Sequence, residues 1–158
     1  MAPGSKLVTL DIQDVNEGAS AYWCSAGLPR SPRQMLSELR KNLDVSFVTS
    51  DSIAFLKRTD FRFDLIFLDG DHSKETVLKE IPKSLAVLNK NGVILLHDYL
   101  PNSEPLWSDG SVISGPFQAA EELRMRGARL KVIPFGPLPW VTKLDSRMTS
   151  LAMIVRDQ

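Results

Sequence analysis

The chain has 158 residues, of which 43% are hydrophobic and 24% are charged, and this balance predicts one soluble folded domain over residues 1–158. Nineteen Lys and Arg balance nineteen Asp and Glu, so no net positive field is available to hold nucleic acid or an anionic membrane surface. The single cysteine, Cys24, excludes an internal disulfide or a multi-thiolate zinc site and is typical of a reducing, cytoplasmic compartment.

The first third of the chain predicts two strands and two helices in alternation. Lys6–Asp11 is the first strand, and a long polar connection follows it. A helix begins after Ser31, because Ser31–Gln34 combines a capping hydroxyl, a proline at the first helical position and a glutamine that reaches back. Val45–Ser50 is the second strand, and Asp51 or Ser52 caps a short helix.

The middle of the chain predicts a buried strand, a long helix and a further strand. Phe63–Leu68 is almost continuously apolar, which indicates burial on both faces, as in the middle of a parallel sheet. The helix that begins at Ser73 contains Pro82, which predicts a kink or a restart because proline has no N–H to donate. Asn91-Gly92 predicts a turn into the fourth strand, Val93–Leu96.

The last third predicts a helix that Gly127 ends and two strands, Leu130–Phe135 and Ser150–Val155. No helical pattern separates these two strands, so we expect an antiparallel pair. Together the elements predict a Rossmann-like α/β fold, with a mostly parallel sheet, helices on both faces and a C-terminal antiparallel strand pair.

Polar residues stand where the predicted strands end, and ligands of such sheets bind beyond the carboxyl ends of the strands. The candidates are Asp11, Asp51, Asp69, Asp71, His72, His97, Asp98 and Tyr99. Asp69 and Asp98 follow two strands that one helix joins, and neighbouring strands lie only about 4.8 Å apart. Two carboxylates this close repel each other unless a cation or a basic group lies between them, so a divalent metal is the simplest resolution.

His72 follows Asp69 on the loop that opens the next helix, and we predict that it is a general base, because imidazole titrates near neutral pH. A structural interpretation competes with this one. A polar residue at a strand-to-helix turn is usually a cap, as Asp71 is expected to be, and a lone histidine is usually structural. Acidic and imidazole groups at two successive strand ends favour the functional interpretation.

The stretch Asp64–Tyr99 (DLIFLDGDHSKETVLKEIPKSLAVLNKNGVILLHDY) resembles class I S-adenosylmethionine-dependent methyltransferases. The resemblance is greatest to the branch of macrolide-sugar O-methyltransferases and cephalosporin-hydroxylase-type proteins, with DGDH at one strand end and HDY at the next. LVTLDI and TSDS resemble the family's second and third strand ends. The resemblance implies that S-adenosylmethionine is the cofactor, with Asp11 at the ribose hydroxyls and Asp51 and Ser52 near the adenine.

The resemblance also implies a divalent metal, Mg²⁺ or Mn²⁺, held by Asp69, His97 and Asp98, with His72 as the base. The implied reaction transfers a methyl group from the sulfonium to a hydroxyl of a small polyhydroxylated substrate, whose pKa the metal lowers. Relatives have an acid or an amide where this chain has His97. An imidazole there favours Mn²⁺ or a similar ion over Mg²⁺, or else only orients a water.

The front of the chain departs from the family pattern. Family members carry a glycine-rich turn after a first, central strand, and here the first predicted strand resembles the family's second. Loss of a central strand leaves unpaired backbone groups, each costing about 1–3 kcal/mol if buried. Three explanations of the missing strand stay open. The strands on either side of the gap pair directly, another copy of the chain donates a strand in a homodimer, or the sequence is a partial gene product.

Two alternatives to an active methyltransferase remain at this point. The first is a truncated methyltransferase-like domain without catalytic activity. The second is a nucleotide-sugar glycosyltransferase, because Asp69-Gly70-Asp71 also resembles the D-x-D pair that holds Mn²⁺ and a diphosphate in those enzymes.

Overall fold

The computed structural model describes residues 4–17, 30–39, 43–140 and 145–157; Cys24 lies outside them. Strands and helices alternate along the chain. The elements are β1 (Lys6–Asp11), α1 (Pro32–Glu38), β2 (Asp44–Thr49), α2 (Ser52–Arg58), β3 (Phe63–Leu68), α3 (Lys74–Val87), β4 (Leu88–His97), α4 (Gly115–Met125), β5 (Leu130–Pro137) and β6 (Ser150–Arg156). None of the helices in these ranges is both long and apolar enough to cross a bilayer.

The chain divides into two compact units, Met1–Phe55 and Leu56–Gln158, so the prediction of one domain stays a prediction. In the first unit β1 and β2 form a parallel two-stranded sheet. The predicted capping box of α1 is confirmed: Ser31 Oγ accepts from the Gln34 N–H, and Gln34 Oε1 accepts from the Ser31 N–H. The carboxylate of Asp51 accepts from the Ala54 N–H at 2.8 Å and caps α2.

The second unit contains a four-stranded sheet in the order β3-β4-β6-β5. β3 and β4 are parallel, and β6 is antiparallel to both of its neighbours. Three strands therefore share one direction, and the predicted Rossmann-like α/β fold, the mostly parallel sheet and the C-terminal antiparallel pair are confirmed. Helices α3 and α4 pack against each other and lie against β4 and β5 respectively.

The hydrophobic core of this unit lies between the sheet and the two helices. Ile81 of α3, Ile94 of β4 and Ile154 of β6 are completely buried, and Ile94 pairs with Ile154 across the antiparallel ladder. Other core members include Val77, Leu96, Tyr99, Ala119, Ala120 and Ala152. Burial of these apolar surfaces is what holds β4 and β6 in register.

The predicted burial of β3 on both faces is wrong. Ile66 and Leu68 pack against the core, but Leu65 and Phe67 are 55% and 53% exposed. The physical reason is the two-residue period of a strand: alternate side chains point to the face opposite the helices. β3 also lies at one end of the strand order.

Two details of the middle segment differ from expectation. α3 continues through Pro82, so the helix does not restart there, and a kink at this residue stays a prediction. The strand expected to begin after a turn at Asn91-Gly92 begins at Leu88, and the turn signal instead marks an irregularity within the β3–β4 ladder. A Cβ at Gly92 would lie 2.8 Å from the carbonyl oxygen of Phe63, so only glycine fits this close approach.

The one-sided burial of β3 gives a stability prediction. Ile94→Ala removes a completely buried side chain and is expected to lower the free energy of unfolding by about 2–5 kcal/mol. Leu65→Ala, on the neighbouring strand, is expected to cost less than about 1 kcal/mol because that side chain is half exposed. Urea denaturation measures both, and equal losses would mean that β3 is covered on both faces after all.

Candidate active site

The ladder between β3 and β4 places the candidate residues at one sheet edge. Leu68 and Leu96 are register partners in the parallel pair, so Asp69 and His97, the next residues, emerge side by side. Asp98 follows directly, and His72 comes back from the loop before α3. The expectation that Asp69 and Asp98 end neighbouring strands is confirmed.

Four side chains meet at this edge, and we call them the Asp-His cluster: Asp69, His72, His97 and Asp98. His97 Nδ1 lies 2.7 Å from Asp69 Oδ1 and 3.4 Å from Asp98 Oδ2. His72 Nδ1 lies 2.8 Å from Asp98 Oδ2, and its Nε2 lies 3.3 Å from Asp69 Oδ1. Each imidazole therefore contacts both carboxylates, and these are the only two histidines in the chain.

Burial within the cluster is graded from the interior to the surface. The side chains of Asp98 and His97 are only 1% and 3% exposed, whereas those of His72 and Asp69 are 17% and 42% exposed. A buried carboxylate such as that of Asp98 is costly unless charged or hydrogen-bonded groups face it, and the imidazoles supply them. The Asp69 and His72 side of the cluster is the side that a solute can reach.

Both ring nitrogens of His72 lie beside carboxylate oxygens, so the tautomer decides which of them donates. We assign the proton to Nδ1, because its 2.8 Å contact with Asp98 Oδ2 is shorter than the 3.3 Å contact between Nε2 and Asp69 Oδ1. In this tautomer His72 Nε2 and Asp69 Oδ1 are two acceptors 3.3 Å apart, and a proton or a cation that arrives between them is stabilised by both. This arrangement can take a proton from a substrate or hold a metal ion.

Asp98 adopts a backbone conformation that non-glycine residues rarely take, with φ at +52°. Such a residue costs about 1–3 kcal/mol and persists only where its surroundings impose it. The next residue is fixed too: the carbonyl of Tyr99 accepts from Ser150 Oγ at 2.6 Å, and the Tyr99 ring packs edge-on against Phe117. The strained turn directs the Asp98 side chain back toward His72.

Asp71 shapes the loop that carries His72. Its carboxylate accepts hydrogen bonds from the Ser73 N–H, the Ser73 hydroxyl and the Thr76 hydroxyl, at 2.9, 2.8 and 2.7 Å. Ser73 in turn caps α3. The hydrogen bonds from Thr76 and Ser73 hold the pKa of Asp71 below its usual value. Ser73 and not Asp71 is therefore the helix cap, and Asp71 has a structural role in ordering the residues around that cap.

Gly115, the first residue of α4, is a site-building residue that the sequence reasoning missed. A Cβ at this position would overlap the carbonyl oxygen of His72 and lie 2.7 Å from the backbone nitrogen of Lys74. Lys74 Nζ also forms an ion pair with Glu122 Oε2 of α4, at 2.6 Å. α4 thus packs against the His72 loop and supports it. The Gly-Pro pair at the start of α4 is the sequence feature from which this close packing could have been predicted.

The residues predicted to bind the cofactor lie in the first unit. β1 and β2 are parallel, so Asp11 at the end of β1 and Asp51 just after β2 share one edge of the two-stranded sheet, and Ser52 begins α2. Both carboxylates are exposed, and each uses Oδ1 in a local hydrogen bond, to the Gln13 and Ala54 N–H groups. Their cofactor role stays a prediction.

The donor atoms of three cluster residues, Asp69, His72 and His97, all lie within 4.8 Å of one another. The set predicted from sequence shares Asp69 and His97 with this group but has Asp98 in place of His72. One carboxylate oxygen and two imidazole nitrogens suit a borderline transition ion better than Mg²⁺, which prefers oxygen ligands. The identity of the ligands stays a prediction.

Known proteins give a consistent context. Residues 2–99 match a family described as a methyltransferase domain. The match does not show which branch of the methyltransferases the chain belongs to, so the macrolide-sugar and cephalosporin-hydroxylase-type branch stays a prediction. No match was found among curated protein sequences.

Several solved structures share the fold. An rRNA methylase from Streptococcus thermophilus has 15% identity and a TM-score of 0.56, over 97% of this chain and 74% of its own. A SAH-bound methyltransferase from Podospora anserina has 20% identity and a TM-score of 0.59, over 98% and 62%. An O-methyltransferase from Bacillus cereus in complex with SAH has 18% sequence identity and a TM-score of 0.59. The alignment covers 97% of this chain and 64% of that one.

The close approach at Gly115 gives a prediction about the loop. Gly115→Ala is expected to push the His72 backbone away from α4 and to lower the free energy of unfolding by about 1–3 kcal/mol. Gly70→Ala is the matched control, because a Cβ at Gly70 meets no atom within 4 Å. If urea denaturation finds the two variants equally stable, α4 does not buttress the loop.

The lowered pKa of Asp71 gives a pH prediction. A carboxyl whose pKa is lower in the folded state stabilises the fold above its unfolded pKa, and that contribution is lost as the pH falls through the folded pKa. The gap in unfolding free energy between wild type and Asp71→Asn should therefore be largest near neutral pH and shrink below about pH 4. A gap that is constant from pH 7 to pH 2 would contradict this.

Proposed function

The chain belongs to the methyltransferase-domain family, and on this premise we propose that it is an S-adenosylmethionine-dependent O-methyltransferase that acts on a small hydroxylated molecule with the help of a divalent cation. The observation that carries the proposal is the Asp98–His72 pair. A histidine held by a buried carboxylate, with its second nitrogen toward an accessible edge, is the arrangement that removes a proton from a hydroxyl.

The proton path follows from the contacts of His72. The acceptor hydroxyl gives its proton to His72 Nε2, while the Nδ1–H stays hydrogen-bonded to Asp98 Oδ2. The imidazolium that forms is stabilised by the Asp98 carboxylate, which is already in place and almost completely buried. General-base catalysis of this kind contributes about 10²- to 10⁴-fold to a rate.

The cofactor proposal rests on the first unit. Asp11 would accept hydrogen bonds from the ribose hydroxyls, and Asp51 and Ser52 would contact the adenine. The exposure of both carboxylates at one sheet edge supports this, because a carboxylate after a β-strand is a common partner of a ribose hydroxyl. When bound, the sulfonium supplies the methyl group that the acceptor oxygen receives.

The cation would be held by Asp69, His97 and Asp98, and it would lower the pKa of the acceptor hydroxyl. Asp98 has two carboxylate oxygens, and Oδ2 faces His72. The imidazole of His97 favours Mn²⁺ over Mg²⁺ as this cation.

The contacts of Asp69 and Asp71 support the methyltransferase proposal better than the glycosyltransferase alternative. It would need Asp69 and Asp71 to hold one metal ion together. Asp71 instead accepts three hydrogen bonds from Ser73 and Thr76. The side chains in contact with Asp69 include the imidazoles of His72 and His97.

The cofactor proposal predicts that S-adenosylhomocysteine binds to the chain with measurable heat. Asp11→Ala is expected to weaken this binding by at least tenfold, because a charged hydrogen bond to the ribose contributes about 1.5–3 kcal/mol. Asp60→Asn, an exposed carboxylate outside the site, is the control and should bind like wild type. Calorimetry measures all three. A folded chain that shows no heat at millimolar ligand would support the non-catalytic alternative.

The base proposal predicts separate effects on transfer and on binding. With Mn²⁺, S-adenosylmethionine and a set of vicinal diols of the catechol and hexose types, His72→Ala should lower the rate of S-adenosylhomocysteine release by about 10²- to 10⁴-fold. Its affinity for S-adenosylhomocysteine should be unchanged. Transfer at the wild-type rate by His72→Ala would show that another group takes the proton.

A further inference from the structure

We propose that Asp69, His72 and His97 form a site for a borderline divalent transition ion such as Zn²⁺, and that an ion bound there inhibits the enzyme by occupying the base. The binding site follows from the side-chain geometry alone. The inhibition rests on the proposed function, since it requires His72 to be the base.

The donor set selects the ion. Two imidazole nitrogens and one carboxylate oxygen are ligands that Zn²⁺, Co²⁺ and Ni²⁺ bind well, whereas Mg²⁺ keeps an oxygen environment and gives up water reluctantly. Both histidines of the chain are in this group. Any imidazole-dependent metal binding by this protein must therefore involve the Asp-His cluster.

The spacing of the donor atoms also fits. A four-coordinate ion with bonds of about 2.0–2.1 Å needs neighbouring donor atoms about 3.3 Å apart. Asp69 Oδ1 lies 3.3 Å from His72 Nε2 and 2.7 Å from His97 Nδ1, and the donor nitrogens of the two histidines lie within 4.8 Å of each other. An ion therefore needs a small rotation of the exposed Asp69 side chain and an approach of the two rings by up to about 1.5 Å. Asp69 and His72 are also the accessible members of the cluster, which gives an ion a way in.

Asp98 acts as a positioning residue for this ion. Metal-bound histidines usually donate their second N–H to a carboxylate, which fixes the tautomer and raises the basicity of the ring. Asp98 Oδ2 lies 2.8 Å from His72 Nδ1, and with the proton on Nδ1 the lone pair of Nε2 is directed toward Asp69 before any ion arrives.

The same lone pair cannot serve two purposes. A coordinate bond from His72 Nε2 to the ion uses the electron pair that would accept the proton of the acceptor hydroxyl. The inhibitory ion also takes Asp69 and His97, which the catalytic cation of the proposed function needs. Zn²⁺ should therefore displace Mn²⁺ and stop proton transfer together.

Co²⁺ is the probe for the binding site, because its visible absorption reports coordination without cofactor or acceptor. The protein should be free of any histidine tag and carry Cys24→Ser, so that no thiolate binds the ion. One Co²⁺ per chain is expected, with the intense bands of four- or five-coordination, and Zn²⁺ should displace it while millimolar Mg²⁺ does not. Asp98→Asn should weaken binding about 10- to 100-fold, and His72→Ala should weaken it more.

Asp60→Asn is the control and should bind Co²⁺ like the Cys24→Ser parent. Retention of the Co²⁺ spectrum by His72→Ala would overturn the site, as would weak six-coordinate bands in the parent. A second readout does not depend on stability: Zn²⁺ should shift the ring ¹⁵N signals of both histidines. The proposed function is tested separately, since S-adenosylhomocysteine binding without Zn²⁺ binding refutes only this inference, and Zn²⁺ binding without S-adenosylhomocysteine binding refutes only the enzyme.

Discussion

The parallel pairing of β3 with β4 is the constraint on which the Asp-His cluster depends. With Leu68 opposite Leu96, the residues that follow each strand emerge together, and an acid meets an imidazole at hydrogen-bond distance. A slip of one residue would turn every side chain of a strand to the opposite face and separate Asp69 from His97. The burial of Ile94 and Leu96 in the core prevents that slip. The chemistry at the edge therefore depends on apolar packing within the sheet.

The rest of the cluster is built against local preference. Asp98 holds a left-handed backbone conformation, and the His72 loop lies so close to α4 that only glycine fits at residue 115. Hydrogen bonds from Ser73 and Thr76 to Asp71 order the same loop from its other side. The left-handed conformation costs conformational free energy, and the close packing restricts the residue at position 115 to glycine. Together these features bring a buried carboxylate to 2.8 Å from an imidazole nitrogen. Rigid placement of this kind is what a general base or a metal ligand requires.

Much of this fold was accessible from sequence, because local chemistry determines it. The bounds of β1 and β3, the capping box at Ser31 and the antiparallel C-terminal pair all follow from short patterns. The exposure of Leu65 and Phe67 did not, because an apolar run cannot show which of its faces another element covers. The placement of Asp69 and Asp98 at the ends of neighbouring strands was predicted from strand order. The Asp98–His72 contact and the role of Gly115 were not, because both arise from tertiary packing between segments distant in sequence.

The most direct test of the account is the ring ¹⁵N spectrum of the two histidines in the metal-free protein near neutral pH, assigned with His72→Ala. Free imidazole in histidine prefers the Nε2–H tautomer, so protonated Nδ1 is diagnostic. The account predicts that Nδ1 of His72 carries a proton and that Asp98→Asn shifts this signal strongly, while Asp60→Asn does not. An unprotonated Nδ1 in His72, indifferent to Asp98→Asn, would contradict the pairing on which the proposed base and the proposed ion site both rest.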